Sequence, residues 1–283
     1  MSLIFTNQSE SNVPVCVQGI LPESIARLKT DQIAELKVWR GNRQFTLADL
    51  FRIDTVDDEQ PDKIVWRGDM SRVHWLGTQM SSGTMIVEGN AGRHLGSQMK
   101  GGQIQVDGSA DDYVGCEMTG GQIRIGKDAG DWLGAAYPGS RVGLNRGTIL
   151  IGGNAGRGVG FGMRRGLICI AGNVDRLVGW NMLAGNIVVG GQVGQMAAKG
   201  MSRGTLWLAS RDLAASNRQM LPPSFAAGSY AQPAVAGLMC NWLRELESGV
   251  ELPNVSYQIF HGDYLQGGRG EVLIASSRND DVN

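Results

Sequence analysis

The sequence has no charge excess and no long hydrophobic run. Its 26 Lys and Arg residues balance 27 Asp and Glu residues, for a net charge of -1. Composition therefore does not favour a nucleic acid or an anionic membrane as partner, since both attract a basic excess. No segment reaches 18 consecutive apolar residues, and no charged N-terminal stretch precedes an apolar run. A cytoplasmic protein without a membrane segment is expected.

The sequence also lacks clustered ligands and nucleophiles. The four cysteines lie far apart, at Cys16, Cys116, Cys169 and Cys240. No C-x-x-C pair is present, so free buried thiols are expected instead of an iron–sulfur or zinc site. His74 and His94 fall in adjacent repeat units, but no carboxylate or cysteine lies in register with them. With no nucleophile motif and no phosphate-loop lysine either, no catalytic, cofactor-binding or metal-binding residue is predicted.

Glycine, in contrast, is abundant, with 42 residues, and it marks a repeat. The phrase that begins at Gly83 restarts after spacings of 19, 19, 26, 19, 19 and 19 residues, at Gly102, Gly121, Gly147, Gly166, Gly185 and Gly204. A fixed period of about 20 residues indicates stacked units, because one unit cannot bury its apolar side alone. Within a unit, β-branched residues alternate, as at Ile104 and Val106, which predicts a short strand with one buried face.

Two further apolar positions recur in each unit. One is a Leu or Val such as Leu95, and the other forms a column of Met80, Met99, Met118, Leu144, Met163, Met182 and Met201. Three apolar positions per unit predict three sides, and therefore a parallel β-helix of ~19-residue coils over residues 64–209. The methionine column is interpreted as flexible core packing.

The chain ends do not repeat. Residues 1–58 form a predicted cap with two short helices that begin near Pro22 and Thr30, and the polar linker 57–63 follows it. Residues 210–283 form a predicted extension, with a helix over residues 233–246 and a β-hairpin over residues 255–276. Outward strand positions change from Gln105 and Arg124 to the apolar series Leu150, Cys169, Val188 and Trp207. The C-terminal region or a partner is expected to cover that series.

Two features of the repeat point outward. The unit that begins at Gly121 carries seven extra residues in or near positions 135–141. Such an insertion forms either a contact loop or a tolerated irregularity at a corner. Basic residues precede the restart glycines and make a stripe of Lys100, Arg146, Arg164, Arg165 and Arg203. This stripe is either a set of solvated corners or a site for an anion or an acidic partner.

The repeated phrase at residues 102–110, Gly-Gln-Ile-Gln-Val-Asp-Gly-Ser-Ala, resembles the glycine-rich GXGXG domain of the glutamate synthase large subunit. That domain is a right-handed β-helix, so the resemblance implies this handedness. The complete layout more closely resembles the C subunit of the formylmethanofuran dehydrogenase family, and in particular that of the formyltransferase/hydrolase complex of methylotrophs. Residues 21–36 and the ending at residues 261–273 carry this closer resemblance.

The resemblance implies a non-catalytic scaffold subunit in a hetero-oligomer. Such a complex transfers a formyl group from formyl-tetrahydromethanopterin to methanofuran and releases formate by hydrolysis during formaldehyde oxidation. The resemblance also implies that the two C1 carriers and any metal belong to other subunits, with no cofactor in this chain.

Two alternatives stay open. One is the C subunit of a molybdenum or tungsten formylmethanofuran dehydrogenase, and the other is a stand-alone β-helix protein acting on carbohydrate. The carbohydrate alternative needs paired acids, but Asp111, Asp112 and Asp131 share their column with Arg157 and Arg176.

Overall fold

The computed structural model describes residues 2–8, 11–56, 62–211 and 220–276. Its strands are β1 Ser2–Asn7, β2 Val15–Cys16, β3 Lys37–Arg40, β4 Arg43–Thr46, β5 Phe51–Val56, β6 Lys63–Arg67, β7 Val73–His74, β8 Thr84–Glu88, β9 Gln103–Val106, β10 Gln122–Ile125, β11 Asn145–Ile151, β12 Arg165–Ile170, β13 Asn186–Val189, β14 Arg203–Leu208, β15 Ala226–Ala231, β16 Tyr257–Gly262 and β17 Arg269–Ala275. Its helices are α1 Pro22–Ile25, α2 Thr30–Ala34, α3 Leu47–Leu50, α4 Val235–Glu245 and a 3-10 turn at Tyr264–Gln266. None of these helices is long and apolar enough to cross a membrane.

The N-terminal segment joins two sheets. Strand β1 pairs with β5 in antiparallel fashion and with β6 in parallel, so it occupies the edge that β6 would otherwise expose. A smaller sheet has the order β4-β3-β2-β7. The predicted short helices are present as α1 and α2. Each begins with a backbone N–H bonded to a side chain three residues later, Leu21 to Ser24 at 3.0 Å and Lys29 to Gln32 at 3.0 Å. The predicted linker lies mostly outside the described residues, since positions 57–61 are not among them.

The large sheet is built from the repeat units. Each unit contributes one strand, and strands β6 and β8 to β14 pair in parallel in sequence order. Equivalent residues face each other, so that Ile104 is the register partner of Ile123 and Ile123 is the partner of Ile149. Strand β17 then adds to β14 in parallel, with Leu206 opposite Val272. The predicted C-terminal hairpin is present as β16 and β17, which pair in antiparallel fashion.

The predicted right-handed parallel β-helix is wrong for the described chain. Its strands form one mixed sheet of 13 strands and a second sheet of four, instead of a solenoid with three strand-bearing sides. Antiparallel strands lie at both ends of the large sheet, β5 beside β1 at one end, and β15 and β16 beside β17 at the other. Outside the strands, the backbones of successive units pair at single bridges, such as Ala110 to Ala129, instead of in further sheets.

The backbone explains why two of the three predicted sides are not strands. In the unit that begins at Gly83, His94, Gly96 and Gln98 have positive φ angles of 64°, 61° and 56°. Leu95 therefore lies between two left-handed residues, and Met99 directly follows a third. A strand needs consecutive extended residues, which left-handed positions at every second residue prevent. The second and third apolar positions of each unit are buried turn residues that resemble strand residues only in their hydrophobicity.

The core follows the columns that the sequence predicted. The seven positions from Met80 to Met201 in the methionine column are all 0% exposed, and the inward strand residues join them in one cluster. The glycines that open the units fit closely under this column. A Cβ on Gly121 would lie 2.7 Å from the terminal methyl carbon of Met99, and one on Gly147 would lie 2.7 Å from that of Met118. Glycine is required there because φ is positive, +87° at Gly121 and +97° at Gly147, and because the carbonyl oxygen of the preceding opening glycine lies 2.8 and 2.7 Å from the two Cβ positions.

Helix α4 covers the outward apolar series, as the sequence predicted for either the C-terminal region or a partner. Leu150, Leu167, Cys169, Val188 and Trp207 form a second buried cluster with residues of α4 and of the segment after it. Arg124, the last polar member of the column, fixes the end of the helix. Its guanidinium donates to the carbonyl oxygens of Leu246 and Glu247, the latter at 2.8 Å. These carbonyls lie where a helix lacks internal donors, so Arg124 acts as a C-terminal cap.

We expect Met163→Asp to destabilise the fold by about 4 kcal/mol or more, because it places a carboxylate without a partner in the dry core. Met196 supplies a matched control, since its side chain is 43% exposed while that of Met163 is 0% exposed. Urea unfolding followed by circular dichroism compares Met163→Asp with Met196→Asp. Equal free energies of unfolding for the two variants would show that the inward register is wrong.

Candidate functional site

The predicted basic stripe lies along the start of the large sheet's strands. All five residues, Lys100, Arg146, Arg164, Arg165 and Arg203, are exposed. They do not form one continuous row. Arg146, Arg164 and Arg165 belong to neighbouring strands or the turn between them, whereas the unit between Arg165 and Arg203 has Ala184 at the equivalent position. A role for the stripe in binding an anion stays a prediction.

Sequence reasoning missed a further member of this stripe. Arg269 is the register partner of Arg203 on the adjacent parallel strand, and Gly270 is the partner of Gly204. The missed signal is a short phrase shared by four strands: Arg146-Gly147, Arg165-Gly166, Arg203-Gly204 and Arg269-Gly270. Strand β17 is thus another copy of the repeat strand, separated from the others by the segment that contains α4.

A column of stacked rings runs along the turns of the early units. Trp75 and His94 stack with ring centroids 3.9 Å apart and an interplanar angle of 8°. His94 in turn stacks on Tyr113 at 5.0 Å and 12°. All three residues have positive φ angles between 64° and 66°. The rings contribute stacking energy that offsets part of the backbone cost of these left-handed positions.

The seven-residue insertion packs against this column. Leu144 N–H donates to Gly134 O at 2.8 Å and closes the base of the loop. Tyr137, at the start of the loop, lies with its ring 5.7 Å from both His94 and Tyr113. Its hydroxyl is 2.7 Å from His94 Nδ1 and 2.8 Å from Ser97 Oγ. The loop is therefore fixed to the units below it through side-chain contacts.

A row of polar side chains also contacts the loop. Gln79 Nε2 donates to Gln98 Oε1 at 3.0 Å, and Gln98 Nε2 donates to Glu117 Oε2 at 3.0 Å. Glu117 Oε1 accepts the backbone N–H of Tyr137 at 3.3 Å. Burial raises the pKa of Glu117, but hydrogen bonds from Gln98, Ser140 and the Tyr137 N–H outweigh it and leave the pKa below its usual value. Glu117 is thus an ionised acceptor.

The two nearby histidines are neutral in the folded protein. Burial lowers the pKa of His94 to about 4, with a smaller contribution from His74 and Arg93. Burial also lowers the pKa of His74, whose Nδ1 accepts the Arg93 N–H at 2.9 Å. The register places Trp75 and Tyr113 against His94, so the two imidazoles do not share a ligand position. In the described residues no group of three or more His, Cys, Asp and Glu side chains can hold a metal ion.

The acids next to the ring column are paired with arginines. Arg93 forms ion pairs with Asp111, at 3.4 Å, and with Asp112. Arg157 forms an ion pair with Asp131 at 2.8 Å. Two of these acids also accept a backbone N–H from the next unit, Asp112 Oδ1 from Asp131 N at 2.9 Å and Asp131 Oδ1 from Arg157 N at 3.0 Å. These carboxylates join unit to unit and are not arranged as a facing acid–base pair.

Two depressions lie beside α4, with volumes of about 420 and 520 Å³. Both are lined by Cys240 and Arg244 on the helix and by Leu252 beyond it. Several polar side chains of the early units, in contrast, form contacts between units, among them Gln79, Gln98, Glu117, Asp112 and Asp131. Taken together, the fold and these contacts define a glycine-rich repeat protein whose surface columns fix one unit to the next.

Comparison with known proteins specifies the family. The sequence matches the family model of the GXGXG motif over residues 72–221, which is more than half of the chain. The chain belongs to the GXGXG motif family.

Relatives of known name are subunits of larger enzymes. The chain is 37% identical over 96 residues to the C subunit of molybdenum-containing formylmethanofuran dehydrogenase 1 from Methanothermobacter marburgensis, a match that covers 34% of this chain and 24% of that protein. It is 34% identical over 95 residues to the C subunit of tungsten-containing formylmethanofuran dehydrogenase 2 from Methanothermobacter wolfeii, a match that covers 33% of this chain and 35% of that protein. The match thus spans between about a quarter and a third of the length of these relatives.

A solved structure matches nearly the whole chain. It is a chain of the X-ray crystal structure of the formyltransferase/hydrolase complex (FhcABCD) from Methylorubrum extorquens in complex with methylofuran. The TM-score is 0.85 and the identity 29%, and the match covers 96% of this chain and 99% of that chain. The resemblance to the C subunit that the sequence indicated is confirmed.

The neutral state of His94 predicts a pH dependence. Its pKa is about 4 in the folded protein and 6.5 when unperturbed, so only the unfolded chain gains a proton as the pH falls through this interval. Stability is therefore lost between pH 6.5 and about 4. We expect His94→Asn, which tolerates the left-handed backbone, to show a shallower loss over this range. Urea unfolding at half-unit pH steps measures both slopes, and identical slopes would contradict the assignment.

Proposed function

We propose that this chain is the C subunit of a hetero-oligomeric formyltransferase/hydrolase complex, and that it acts there as a non-catalytic scaffold. The complex would transfer a formyl group from formyl-tetrahydromethanopterin to methanofuran and hydrolyse it to formate within cytoplasmic one-carbon metabolism. The two C1 carriers, and any metal, would bind to the other subunits.

The observation that carries the proposal is the structural match to a chain of the formyltransferase/hydrolase complex. It extends over 96% of this chain at 29% identity, so it includes the N-terminal segment and the C-terminal hairpin as well as the repeat. The GXGXG motif match, by comparison, ends at residue 221 and leaves both ends out. The two ends of the chain therefore support assignment to that complex more specifically than the repeat does.

The architecture suits a scaffold. Like residues stack in register along the large sheet, and each unit is bonded to the next through backbone and side-chain contacts. In such a stack each unit contacts its neighbours, and the stack offers an extended surface for binding. Partner subunits bound at different units would be held at a fixed separation.

A molybdenum or tungsten formylmethanofuran dehydrogenase is the second candidate assembly. It is favoured by the 37% and 34% identities to its C subunit, which are higher than the identity to the solved structure. These matches cover only about a third of this chain, however, and the solved structure covers almost all of it. Coverage of both ends makes the transferase/hydrolase assembly the better supported proposal.

Isolation of the tagged chain from its native host tests this proposal. We expect it to co-elute with the other subunits of the complex and with formyl transfer and hydrolysis activity. The isolated chain should show neither activity, and the pool should contain no molybdenum or tungsten in stoichiometric amount. A chain that elutes alone, or that turns over formyl substrate by itself, would contradict the proposal, and stoichiometric metal would favour the dehydrogenase.

We further propose that the basic stripe faces an anionic partner, either an acidic subunit surface or an acidic tail on the methanofuran carrier. In a triple variant, glutamate replaces Arg146, Arg164 and Arg165. We expect it to weaken assembly, or to raise the KM for the carrier, about tenfold at low salt, because each exposed ion pair that is lost contributes at most ~1 kcal/mol. Both effects should shrink at high salt. The matched control places glutamate at three exposed cations outside the stripe, Arg27, Lys29 and Arg43. Equal behaviour of the two triple variants would support solvated corners instead.

A further inference from the structure

The turn between β16 and β17 exposes two adjacent apolar side chains. Leu265 is 82% exposed and Tyr264 is 58% exposed. The turn consists of the short 3-10 segment at Tyr264–Gln266 and two glycines with positive φ, Gly267 at 94° and Gly268 at 65°. Single exposed apolar residues are ordinary, whereas contiguous apolar patches with a polar rim mark interaction sites. Tyr264 and Leu265 are adjacent and together form a small apolar patch.

The backbone that carries these side chains is held by a buried acid. Asp263 is 3% exposed, and its two carboxylate oxygens accept the N–H groups of Leu265 and Gly200, each at 3.0 Å. The Asp263 N–H donates to Met201 O at 3.1 Å, and the Tyr264 N–H donates to Ser224 O at 3.1 Å. The turn is therefore bonded to the last repeat unit and to the segment before β15. A partner would not have to order it on binding, which lowers the entropic cost of association.

The ring of Tyr264 is also fixed in position. A Cβ on Gly268 would lie 2.8 Å from Tyr264 Cδ1, so the ring lies directly against this glycine. The residue as a whole remains 58% exposed. Tyrosine in such a rigid, amphipathic position is a common anchor in protein interfaces.

Exposed cations flank the turn, and two of them form no ion pair among the described residues. Arg203 and Arg269 are register partners on adjacent parallel strands, about 4.8 Å apart. Like charges that face each other across strands destabilise a sheet. Neither arginine belongs to an ion pair between described residues. Lys199 is a third exposed cation and helps to lower the pKa of Asp263, whose carboxylate accepts the N–H groups of Leu265 and Gly200. Glu271 lies two residues further along β17.

We propose that Tyr264, Leu265, Arg203 and Arg269 form a docking surface for an acidic segment of another subunit. The segment would place an apolar side chain against Leu265 and Tyr264 and a carboxylate between the two guanidinium groups. Arginine suits this role because its planar fork binds a carboxylate with two hydrogen bonds. The carboxylate would also relieve the repulsion between the two arginines. This inference rests on the proposed hetero-oligomeric function.

Retention of the other subunits by the tagged chain tests the docking surface. We expect Leu265→Asp and Arg269→Glu each to reduce retention about tenfold at low salt, because both remove an attractive contact and repel an acidic segment. The loss caused by Arg269→Glu should diminish at high salt, where screening weakens charge interactions. Leu238→Asp is the matched control, since Leu238 is 70% exposed on α4 and lies outside the turn. Thermal unfolding of each chain verifies its fold, and Leu265→Ser replaces Leu265→Asp if that variant does not fold.

The outcomes separate the two proposals. If the unmodified chain retains no other subunits, the proposed function fails. If it retains them and the turn variants do so equally well, the docking surface alone is excluded. Loss with Leu265→Asp but not with Arg269→Glu would show an apolar partner and contradict an acidic one. Equal loss with Leu238→Asp would show that the effect is not specific to the turn.

Discussion

Stacking of like residues at a 19-residue interval is the constraint on which the rest of the structure depends. Ile104, Ile123 and Ile149 occupy the same register position on successive strands, and they share one buried core cluster with the methionine column. A shift of one residue would turn every inward side chain to the outer face. The seven extra residues therefore leave the stack as a loop between Gly134 and Leu144. The hydrogen bond from Leu144 N to Gly134 O replaces the one that regular units form between residues three apart, as from Met118 N to Gly115 O.

The same constraint accounts for the columns of rings and amides on the turns. A compact turn with left-handed residues at alternate positions is possible for glycine at little cost, but other residues lose roughly 1–2 kcal/mol each there. His94 and Gln98 occupy two such positions. His94 stacks between Trp75 and Tyr113, and Gln98 bridges Gln79 and Glu117. These contacts offset the strain, so side chains that resemble parts of an active site have a structural role in joining the units.

Three features could be predicted from the sequence because each depends on a local pattern. They are the inward columns, the helix that covers the outward apolar series, and the C-terminal hairpin. The number of strand-bearing sides was predicted wrongly, because hydrophobicity marks burial and not backbone conformation, and Leu95 is buried in a turn. The role of Arg124 was missed because its partners are backbone carbonyls 122 and 123 residues away. The proximity of His74 and His94 was weighed as a metal pair, whereas the register inserts Trp75 beside His94. The Arg-Gly phrase at Arg269 is present in the sequence, but it lies 66 residues after the copy at Arg203, outside the regular period, so strand β17 was not recognised as a repeat strand.

Both ends of the large sheet are closed by antiparallel strands, which makes it a mixed sheet and limits how it can bind a neighbour. At one edge, β5 carries Arg52 and Asp54, an exposed ion pair at 2.9 Å. At the other edge, the pairing of β15 with β16 shifts register between Ala227 and Tyr230. Charges and irregular pairing are both features that discourage addition of another strand. Although the repeat strands pair with one another along the sheet, neither edge strand favours pairing with a further strand. Recognition of a different protein is therefore left to side-chain surfaces, such as the rigid turn beside Arg203 and Arg269.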